Sequence, residues 1–430
     1  MLEPLQAEQR QAILRAAEAL ADEAIDFLRG LVRIPTVNPP GRAYPECAHY
    51  IGERLARLDY AVEYVDLTPE EVAALAPHGQ GLPRTNVIGR LPGLQAAPVL
   101  HFNGHMDVVP VGPGWSGDPF GAQIRDGRIF GRGVSDMKGG LAAQIYAVEA
   151  VRRAGLRLRG TVEQSGVVDE ETTGNRNAGM GLLVERGYIA AGHTDYVVIT
   201  EPLNVDNICL GHRGALWGEI TALGRPSHGS TPERGVNAIE HMADFIHTVT
   251  TTLRPRLQQR VNSQPVIPPS ASAASISFNV IDGGTNPNSV PDRCTVVFDR
   301  RLVMGETLDE ARRELWDILQ ERAHTVSGFD YRYNERYAAN PTWVSADTPV
   351  VQAFSAAIQQ VLGRTPGYVC SPGTDDQRFV VQRGGIEQCI IYGPGEIIQT
   401  HNIDESLAID DFIASIKIMA LAAAHLLGVE

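Results

Sequence analysis

Residues 99–107 read VLHFNGHMD, so that an apolar run passes directly into a histidine and an aspartate. The apolar part is short, which is typical of a buried strand. Two later runs repeat this plan: residues 161–168 are followed by the acidic sequence DEE, and residues 196–200 are followed by Glu201. The sequence therefore predicts three buried strands that each end in a histidine or in carboxylates.

Segments with helical spacing of apolar residues alternate with these strands, among them residues 47–58 and 137–154. Alternating strands and helices predict an α/β sheet, and ligands of such sheets bind at the carboxyl ends of the strands. The three polar strand ends therefore indicate one functional site at one edge of the sheet.

The pattern changes near residue 210, where strands with one exposed face become common. The predicted strands of this region are 215–222, 275–281 and 295–302, and its predicted helices are 237–253 and 308–323. Together they form a compact α+β insert of about 130 residues, which is within the usual size of a domain. We therefore predict one domain from residues 1–210 and 340–430, interrupted by a second domain at 211–339.

The composition is that of an ordinary globular protein, with 43% hydrophobic and 20% charged residues among 430. The 37 Lys and Arg against 51 Asp and Glu give a net charge of −14, which argues against a nucleic acid or an anionic membrane as partner. No apolar run reaches the ~18–20 residues of a membrane span, and residues 1–31 do not resemble a secretion signal. Five scattered cysteines without a Cys-x-x-Cys pair favour reduced thiols and a cytoplasmic location.

Polar residues at the predicted strand ends supply a candidate set of metal ligands. With a late loop histidine, the set comprises His105, Asp107, Asp136, Glu170, Glu171, Glu201 and His401. Carboxylates crowded into one cleft repel one another unless cations hold them. Histidine and carboxylate ligands suit Zn²⁺, Co²⁺ or Mn²⁺, and two ions bridged by one carboxylate can share a hydroxide nucleophile. We therefore expect one or two divalent metal ions in this cleft.

The adjacent acids Glu170 and Glu171 need separate roles, because one can bind metal while the other remains free as general base. Asp107 lies two residues after His105 and can orient its ring through the second ring nitrogen. Each of these residues alone is a weak signal, since acidic pairs are common at turns and helix starts that face solvent. Their joint placement at strand ends carries the prediction.

The pieces of sequence around these residues resemble the metallopeptidase family of acetylornithine deacetylase, succinyl-diaminopimelate desuccinylase, aminoacylase and carboxypeptidase G. The resemblance begins at IPTVNPPG, residues 34–41, and extends to the C-terminal helix. It rests on HMD at 105–107, GVSDMKGG at 133–140, DEE at 169–171, TEP at 200–202, and GPG at 393–395 with HNIDE at 401–405. It implies a mixed-sheet α/β metallohydrolase catalytic domain that is interrupted by a smaller α+β lid, or dimerisation, domain.

The resemblance also implies a role for each ligand. His105, Asp136 and Glu201 would hold one metal, while Asp136, Glu171 and His401 would hold the other, so that Asp136 bridges the two. Glu170 matches the general base of the family, and Asp107 matches the residue that orients the first histidine.

The insert resembles the lid of the same family. GRPSHGSTP at 224–232 implies that His228 reaches the active site of a partner subunit and stabilises the oxyanion. Asn288 and Arg301 match positions that hold a substrate carboxylate, a task that suits a guanidinium group. Arg300, beside Arg301, departs from the usual apolar residue, so either arginine can be the one that faces the ligand. Gly373 and Thr374 match a loop that lines the substrate pocket.

We therefore predict a homo-oligomeric, metal-dependent hydrolase that cleaves an amide-type C–N bond of a small carboxylate-bearing substrate, such as an N-acyl amino acid or a short peptide. One alternative is an aminohydrolase or a deformylase of an aromatic or heterocyclic amine on the same scaffold. Another is a catalytically inactive metal-binding protein. A nucleotide-dependent α/β enzyme would need a phosphate-binding loop, and the sequence contains neither a Walker motif nor a dinucleotide fingerprint.

Overall fold

A computed structural model describes residues 5–171 and 177–430. These residues form two compact units. The catalytic unit consists of the described residues of Met1–Gly211, Val344–Val369 and Asp375–Glu430, and the insert unit consists of His212–Trp343 and Cys370–Thr374.

The helices and strands of the described chain follow the predicted alternation. The helices are α1 Ala7–Ala19, α2 Ala21–Arg33, α3 Tyr44–Arg57, α4 Pro69–Leu75, α5 Gly139–Arg153, α6 Met180–Glu185, α7 Ala238–Thr248, α8 Arg254–Gln258, α9 Leu308–Thr325, α10 Pro349–Leu362, α11 Gln377–Gln382 and α12 Ile409–Leu427. The strands are β1 Ala61–Asp66, β2 Thr85–Leu91, β3 Val99–His105, β4 Gln123–Arg125, β5 Arg128–Phe130, β6 Thr161–Val167, β7 Tyr196–Pro202, β8 Asn207–His212, β9 Gly214–Leu223, β10 Ser275–Gly283, β11 Arg293–Leu302, β12 Asp330–Ala339, β13 Thr342–Trp343, β14 Gly367–Ser371, β15 Cys389–Gly393 and β16 Ser406–Ala408. No helix in this part of the chain is long and apolar enough to cross a membrane.

The catalytic unit is built on a mixed sheet in the order β1-β2-β6-β3-β7-β15-β8. The central strands β6, β3, β7 and β15 are parallel, whereas β1, β2 and β8 pair antiparallel at the two sides. Strands β3 and β6 are buried along their whole length, including polar residues such as Asn103 and Gln164. The parallel centre aligns the carboxyl ends of β6, β3 and β7 at one edge of the sheet. The predicted α/β class is confirmed.

Helix α5 packs against this centre, and every residue from Gly139 to Val151 is buried. An irregular helical turn, Val134–Lys138, precedes it and carries Asp136. The helix approaches β7 closely, since a Cβ atom at Gly140 would lie only 2.0 Å from the carbonyl oxygen of Thr200. A glycine at this position therefore places the Asp136 turn next to the strand end that carries Glu201.

The insert unit is a four-stranded antiparallel sheet in the order β10-β11-β9-β12. Its hydrophobic core combines buried strand residues, such as Leu216 and Phe298, with Phe245 of α7 and Leu315 of α9. Strand β12 was not predicted. Its sequence DYRYNERYAA alternates charged and aromatic residues, and only its last residues are well buried, so that it lacks the apolar run used to find the other strands.

The insert unit includes residues 340–343 and 370–374, which were assigned to the catalytic domain, whereas Gly211, assigned to the insert, belongs to the catalytic unit. The main-chain amide of Cys370 donates a hydrogen bond to the carbonyl oxygen of Pro265 (2.7 Å), and the hydroxyl of Tyr337 donates to that of Thr374 (2.8 Å). These bonds connect residues far apart in the sequence, which is why the sequence did not reveal them.

Candidate metal centre

Three neighbouring strand ends bring the predicted ligands of the catalytic unit together. His105 is the last residue of β3 and pairs in register with Val167, the last residue of β6. Glu170 and Glu171 come shortly after Val167, in the turn that follows β6, and Glu201 is the second-last residue of β7. Because these strands are parallel neighbours, their side chains converge at the same edge of the sheet.

The converging side chains form two groups that share Asp136. One group is His105, Asp136 and Glu201, the other is Asp136, Glu171 and His401, and the donor atoms of each group lie within 4.8 Å of one another. The Oδ1 atom of Asp136 is 3.1 Å from Nε2 of His105, while its Oδ2 atom is 3.4 Å from Nε2 of His401. Each carboxylate oxygen of Asp136 thus faces a different group, which is the geometry that a bridging ligand requires.

The electrostatics of the two groups fit divalent cations. Burial raises the pKa of Glu171, and it raises that of Glu201 to about 8. Hydrogen bonds to Asp136 and Glu171 raise the pKa of His401 to about 11, so that the two groups draw protons when no metal balances their charge. The Oε1 atom of Glu171 is buried and has no hydrogen-bond partner in the described part of the chain. Bound metal ions would replace these protons and would satisfy that oxygen.

The ring of His105 is oriented for coordination through Nε2. Its Nδ1 atom lies 2.9 Å from the main-chain carbonyl oxygen of Asp107, which can only accept a hydrogen bond. The proton of the neutral ring therefore resides on Nδ1, and the lone pair of Nε2 faces Asp136 and Glu201.

The carboxylate of Asp107 has a different set of contacts from the one expected. It lies 3.7 Å from the His105 ring, which is too long for a hydrogen bond. It accepts instead from the main-chain amides of Glu170 (3.2 Å) and Glu171 (3.0 Å) and from the side-chain amide of Asn38 (3.0 Å). Asp107 therefore holds the acidic turn in place, while its main-chain carbonyl orients the histidine.

Asp169 anchors the same turn from the other side. It is buried, and its carboxylate accepts hydrogen bonds from Nε of Arg84 (2.8 Å), the hydroxyl of Tyr44 (2.9 Å) and the side-chain amide of Asn38 (3.1 Å). Its φ of 60° turns the chain sharply just before Glu170. The turn allows both neighbouring glutamates to face the cleft, as the separate roles expected of them require.

Glu170 also lies in this cleft, and it belongs to neither of the two ligand groups found among the described residues. Burial raises its pKa well above the usual range, and the nearby charge of Glu201 adds to this effect. A carboxylate with a raised pKa is a stronger base than an ordinary one, which suits proton transfer near neutral pH.

In the insert unit, His228 and Asn288 lie on adjacent chain segments. His228 forms an isolated bridge with Ser289, and the amide of Gly229 donates to the carbonyl oxygen of Asn288 (2.7 Å). Both side chains are exposed. Nδ1 of His228 accepts a hydrogen bond from the amide of Ser230 (3.1 Å), so that the neutral ring carries its proton on Nε2 and can donate it to a ligand.

The neighbours Arg300 and Arg301 point to opposite faces of the insert sheet, as successive strand residues do. Arg300 is only 1% exposed and pairs with Glu306. Arg301 is partly exposed, donates two hydrogen bonds to Asp299 (2.8 and 3.0 Å) and lies over the ring of Trp217. Of the two, Arg301 is therefore the arginine that a ligand can reach within this unit.

Several buried residues that hold the centre together had no predicted role. They are Asn38, Arg84, Arg132, Asp169 and Glu405, all of which are almost completely buried. Asp169 lies in the motif DEE and Glu405 in the motif HNIDE. Each is a charged residue close in sequence to predicted ligands, and this is the signal that could have indicated its role. Their partners lie far away in the sequence and could not be read from it.

Comparison with known proteins identifies the family of this chain. A family model described as peptidase family M20/M25/M40 matches residues 101–425. The chain belongs to this family. Succinyl-diaminopimelate desuccinylase of Methylococcus capsulatus is 31% identical over 397 residues, which cover 86% of this chain and 99% of that enzyme.

Solved structures share the fold of this M20 family member. The dipeptidase Dug1p of Saccharomyces cerevisiae superposes with a TM-score of 0.78 at 16% sequence identity. The match covers 98% of this chain and 99% of the Dug1p chain. The M20 family metallo-carboxypeptidase Sso-CP2 of Sulfolobus solfataricus superposes with a TM-score of 0.74 at 21% sequence identity, and the match covers 94% of this chain and 99% of the Sso-CP2 chain.

The family match and the desuccinylase relative confirm the predicted family and reaction class: the chain is a divalent-metal-dependent hydrolase of amide-type C–N bonds in small substrates.

Proposed function

We propose that this enzyme removes the acyl group from N-acyl amino acids, or the terminal residue from short peptides, and that its substrates carry a free carboxylate. The observation that carries the proposal is Asp136, which offers one oxygen to each of two ligand groups, together with the partly buried Glu170, whose pKa is raised well above its usual range. The named relative, a succinyl-diaminopimelate desuccinylase, supports an N-acylated amino acid as the substrate type.

The proposed mechanism assigns a separate task to each side chain. Zn²⁺, Co²⁺ or Mn²⁺ ions held by His105, Asp136, Glu171, Glu201 and His401 would supply Lewis-acid activation of water and of the amide carbonyl. Glu170 takes a proton from the attacking water and returns it to the nitrogen of the leaving amine. The carboxylate of Asp107 accepts a hydrogen bond from the main-chain amide of Glu170 and so keeps Glu170 in position.

The residues proposed for substrate binding are Asn288, Arg301, Gly373 and Thr374. Arg301 supports this role because its guanidinium group is partly exposed and lies beside an aromatic ring. Two of its donor groups engage Asp299, which fixes the planar group in one orientation for a substrate carboxylate.

The activity is tested by incubating the Zn²⁺, Co²⁺ and Mn²⁺ forms with N-succinyl and N-acetyl amino acids, dipeptides and aromatic amines. We expect release of a free amino acid together with the matching acid. Release of ammonia would instead identify an aminohydrolase. Stoichiometric metal binding without turnover of any amide would favour a catalytically inactive metal-binding protein.

We also propose that the enzyme is a homodimer formed through the insert unit. Strand β10 is at the edge of the insert sheet, where its main-chain groups are available for pairing. It exposes two large apolar side chains, Val280 at 56% and Ile281 at 62%. An apolar edge strand of this kind favours pairing with a second copy of the chain.

The dimer allows His228 to serve the active site of the partner subunit by donating its Nε2 proton to the oxyanion. This role is tested by mixing two inactive variants, Glu170→Ala and His228→Ala, after subunit exchange. If His228 acts on the partner subunit, the mixed dimer contains one complete site and regains activity. If it acts within its own chain, every site in the mixture lacks one group and activity stays absent.

We finally propose a cytoplasmic location. All five cysteines are buried and form no disulfide in the described part of the chain. Buried reduced thiols are typical of proteins from reducing compartments. Fractionation of the source cells with detection of the enzyme in the cytoplasmic fraction would test this proposal, and recovery from an extracytoplasmic fraction would contradict it.

A further inference from the structure

The carboxylate of Glu405 is completely buried and is directed at the chain segment that carries Asp136. Its Oε1 atom accepts hydrogen bonds from the main-chain amides of Ser135 (2.9 Å) and Asp136 (3.1 Å). Its Oε2 atom accepts from the amide of Gly133 (3.1 Å) and from Nη1 of Arg132 (2.7 Å). All four donors thus come from one short segment that ends at the shared ligand.

The shape of this segment explains why an anion occupies it. Gly133 has a φ of 83°, in the left-handed region, and the amides that follow it point into one concave surface. Successive amides arranged in this way form an anion-binding nest. Here the nest is filled by a side chain of the same protein and not by a ligand.

Glu405 is on the loop that carries His401, another member of the second ligand group. His401 precedes Glu405 on this loop, and Nη2 of Arg132 donates to the carbonyl oxygen of His401 (3.4 Å). The amide of Gly131 donates to the carbonyl oxygen of Glu405 (3.0 Å). Glu405 and Arg132 therefore join the Asp136 segment to the His401 loop.

We propose that Glu405 is a positioning residue that sets the affinity of the second ligand group, Asp136, Glu171 and His401, for its divalent ion. Two of these three ligands are on chain segments that the Glu405 carboxylate ties together. Without the carboxylate, the amides and the buried Arg132 lose a shared acceptor, and both ligands lose their fixed separation. The inference rests on the proposed metal site but not on the identity of the substrate.

The test compares Zn²⁺ and Co²⁺ affinities of wild type and Glu405→Gln, measured by competition with a chelating indicator in the absence of substrate. Glutamine keeps the shape of the side chain but places an amide donor where the nest needs an acceptor. We expect one of the two binding steps, the one that belongs to the second ligand group, to lose about 10- to 100-fold in affinity. Because no substrate is present, failure of the proposed hydrolase activity would leave this result unaffected.

Two further variants make the result specific. Asp404→Asn removes one negative charge from the same loop, but Asp404 accepts from Ser116 and not from the ligand segment, so that this variant should bind metal as wild type does. Glu405→Asp keeps the charge on a shorter side chain and should give an intermediate affinity. If Glu405→Gln does not fold, the metal affinity of Glu405→Asp tests the proposal in its place.

A positioning role predicts a further pattern in the kinetics. At saturating metal, Glu405→Gln should recover most of its kcat with little change in KM, because Glu405 does not contact the reacting atoms. Wild-type metal affinity in Glu405→Gln, or in Glu405→Asp if only that variant folds, would overturn the proposal. So would a loss of affinity in Asp404→Asn equal to that in Glu405→Gln.

Discussion

At the scale of single residues, the metal centre depends on carboxylates that are not in either ligand group. Asp107, Asp169 and Glu405 are buried and accept hydrogen bonds from main-chain amides or from buried side chains. Each holds a chain segment that carries one or more of the ligands. Residues that hydrogen-bond to the metal ligands, or to the segments that carry them, orient the ligands and thereby tune metal affinity.

The role of Glu170 gives the prediction at this scale. Glu170→Ala should lower kcat by about 10²–10⁴-fold, because the proton transfer to the leaving amine loses its carrier. Metal content should remain that of wild type, since Glu170 belongs to neither ligand group. Turnover and metal content measured on the same preparation check both statements, and Glu53→Ala, at an exposed surface pair, is the control.

Wild-type turnover in Glu170→Ala would contradict the assignment of the general base. Loss of metal in that variant would show that Glu170 is a ligand.

At the scale of elements, local sequence patterns indicated most of the strands and helices that build the site. The helix predicted at 137–154 is α5, Gly139–Arg153, and the strands predicted at 161–168 and 196–200 are β6 and β7. Strand β12 was missed because its alternating charged sequence lacks an apolar run. Patterns of apolar residues reveal elements that are buried, and an element half exposed at a sheet edge gives a weaker signal.

The close approach of α5 to β7 gives an element-scale prediction. Helix propensity alone favours Gly140→Ala by about 0.5–1 kcal/mol. The added methyl group would instead meet the main-chain carbonyl of Thr200 at 2.0 Å, and overpacking of this kind costs about 1–3 kcal/mol. We therefore expect Gly140→Ala to lower the free energy of unfolding and to weaken metal binding, because the Asp136 turn moves away from Glu201.

Urea unfolding and metal titration measure these two effects. Gly52→Ala in α3 is the matched control, because its added methyl group would meet the end of the Tyr64 side chain, which can shift. It should leave metal binding unchanged. Stabilisation by Gly140→Ala would show that helix propensity outweighs the contact with β7.

At the scale of the whole molecule, the net charge of −14 is partly a property of the metal centre. Asp107, Asp136, Glu170, Glu171 and Glu201 concentrate five of these charges in one cleft. In the absence of metal, both ligand histidines take up protons, since nearby carboxylates raise the pKa of His401 to about 11 and that of His105 well above its usual range. The metal must displace these protons in order to bind.

This competition predicts the pH dependence of metal binding. As the pH rises, the histidines lose their protons more readily, so that the apparent affinity should increase by up to about tenfold per pH unit for each proton released. Titrations in chelator-buffered metal at several pH values, together with measurement of proton release, check the sign and the size. An affinity independent of pH would show that neither the histidines nor Glu201 hold a proton that the metal must displace.

Metal removal should also separate folding from function. The apo-protein should stay folded but lose activity, and it should unfold at a lower temperature than the metal-loaded enzyme, because ligands that bind only the native state stabilise it. Restoring Zn²⁺, Co²⁺ or Mn²⁺ should restore activity.

The sequence by itself determined the fold class and the strand ends at which the candidate ligands converge. These properties follow from local patterns, namely apolar runs that form buried strands and the residue types that divalent metals require, whereas the division of the ligands into two groups was implied by the family resemblance. Only the tertiary structure decided that Asp107 holds the acidic turn, that Glu405 joins the segments of Asp136 and His401, and that Arg301 and not Arg300 is accessible. The physical reason is that these roles depend on hydrogen bonds and burial between residues far apart along the chain, and such contacts exist only after the strands and turns have been brought together.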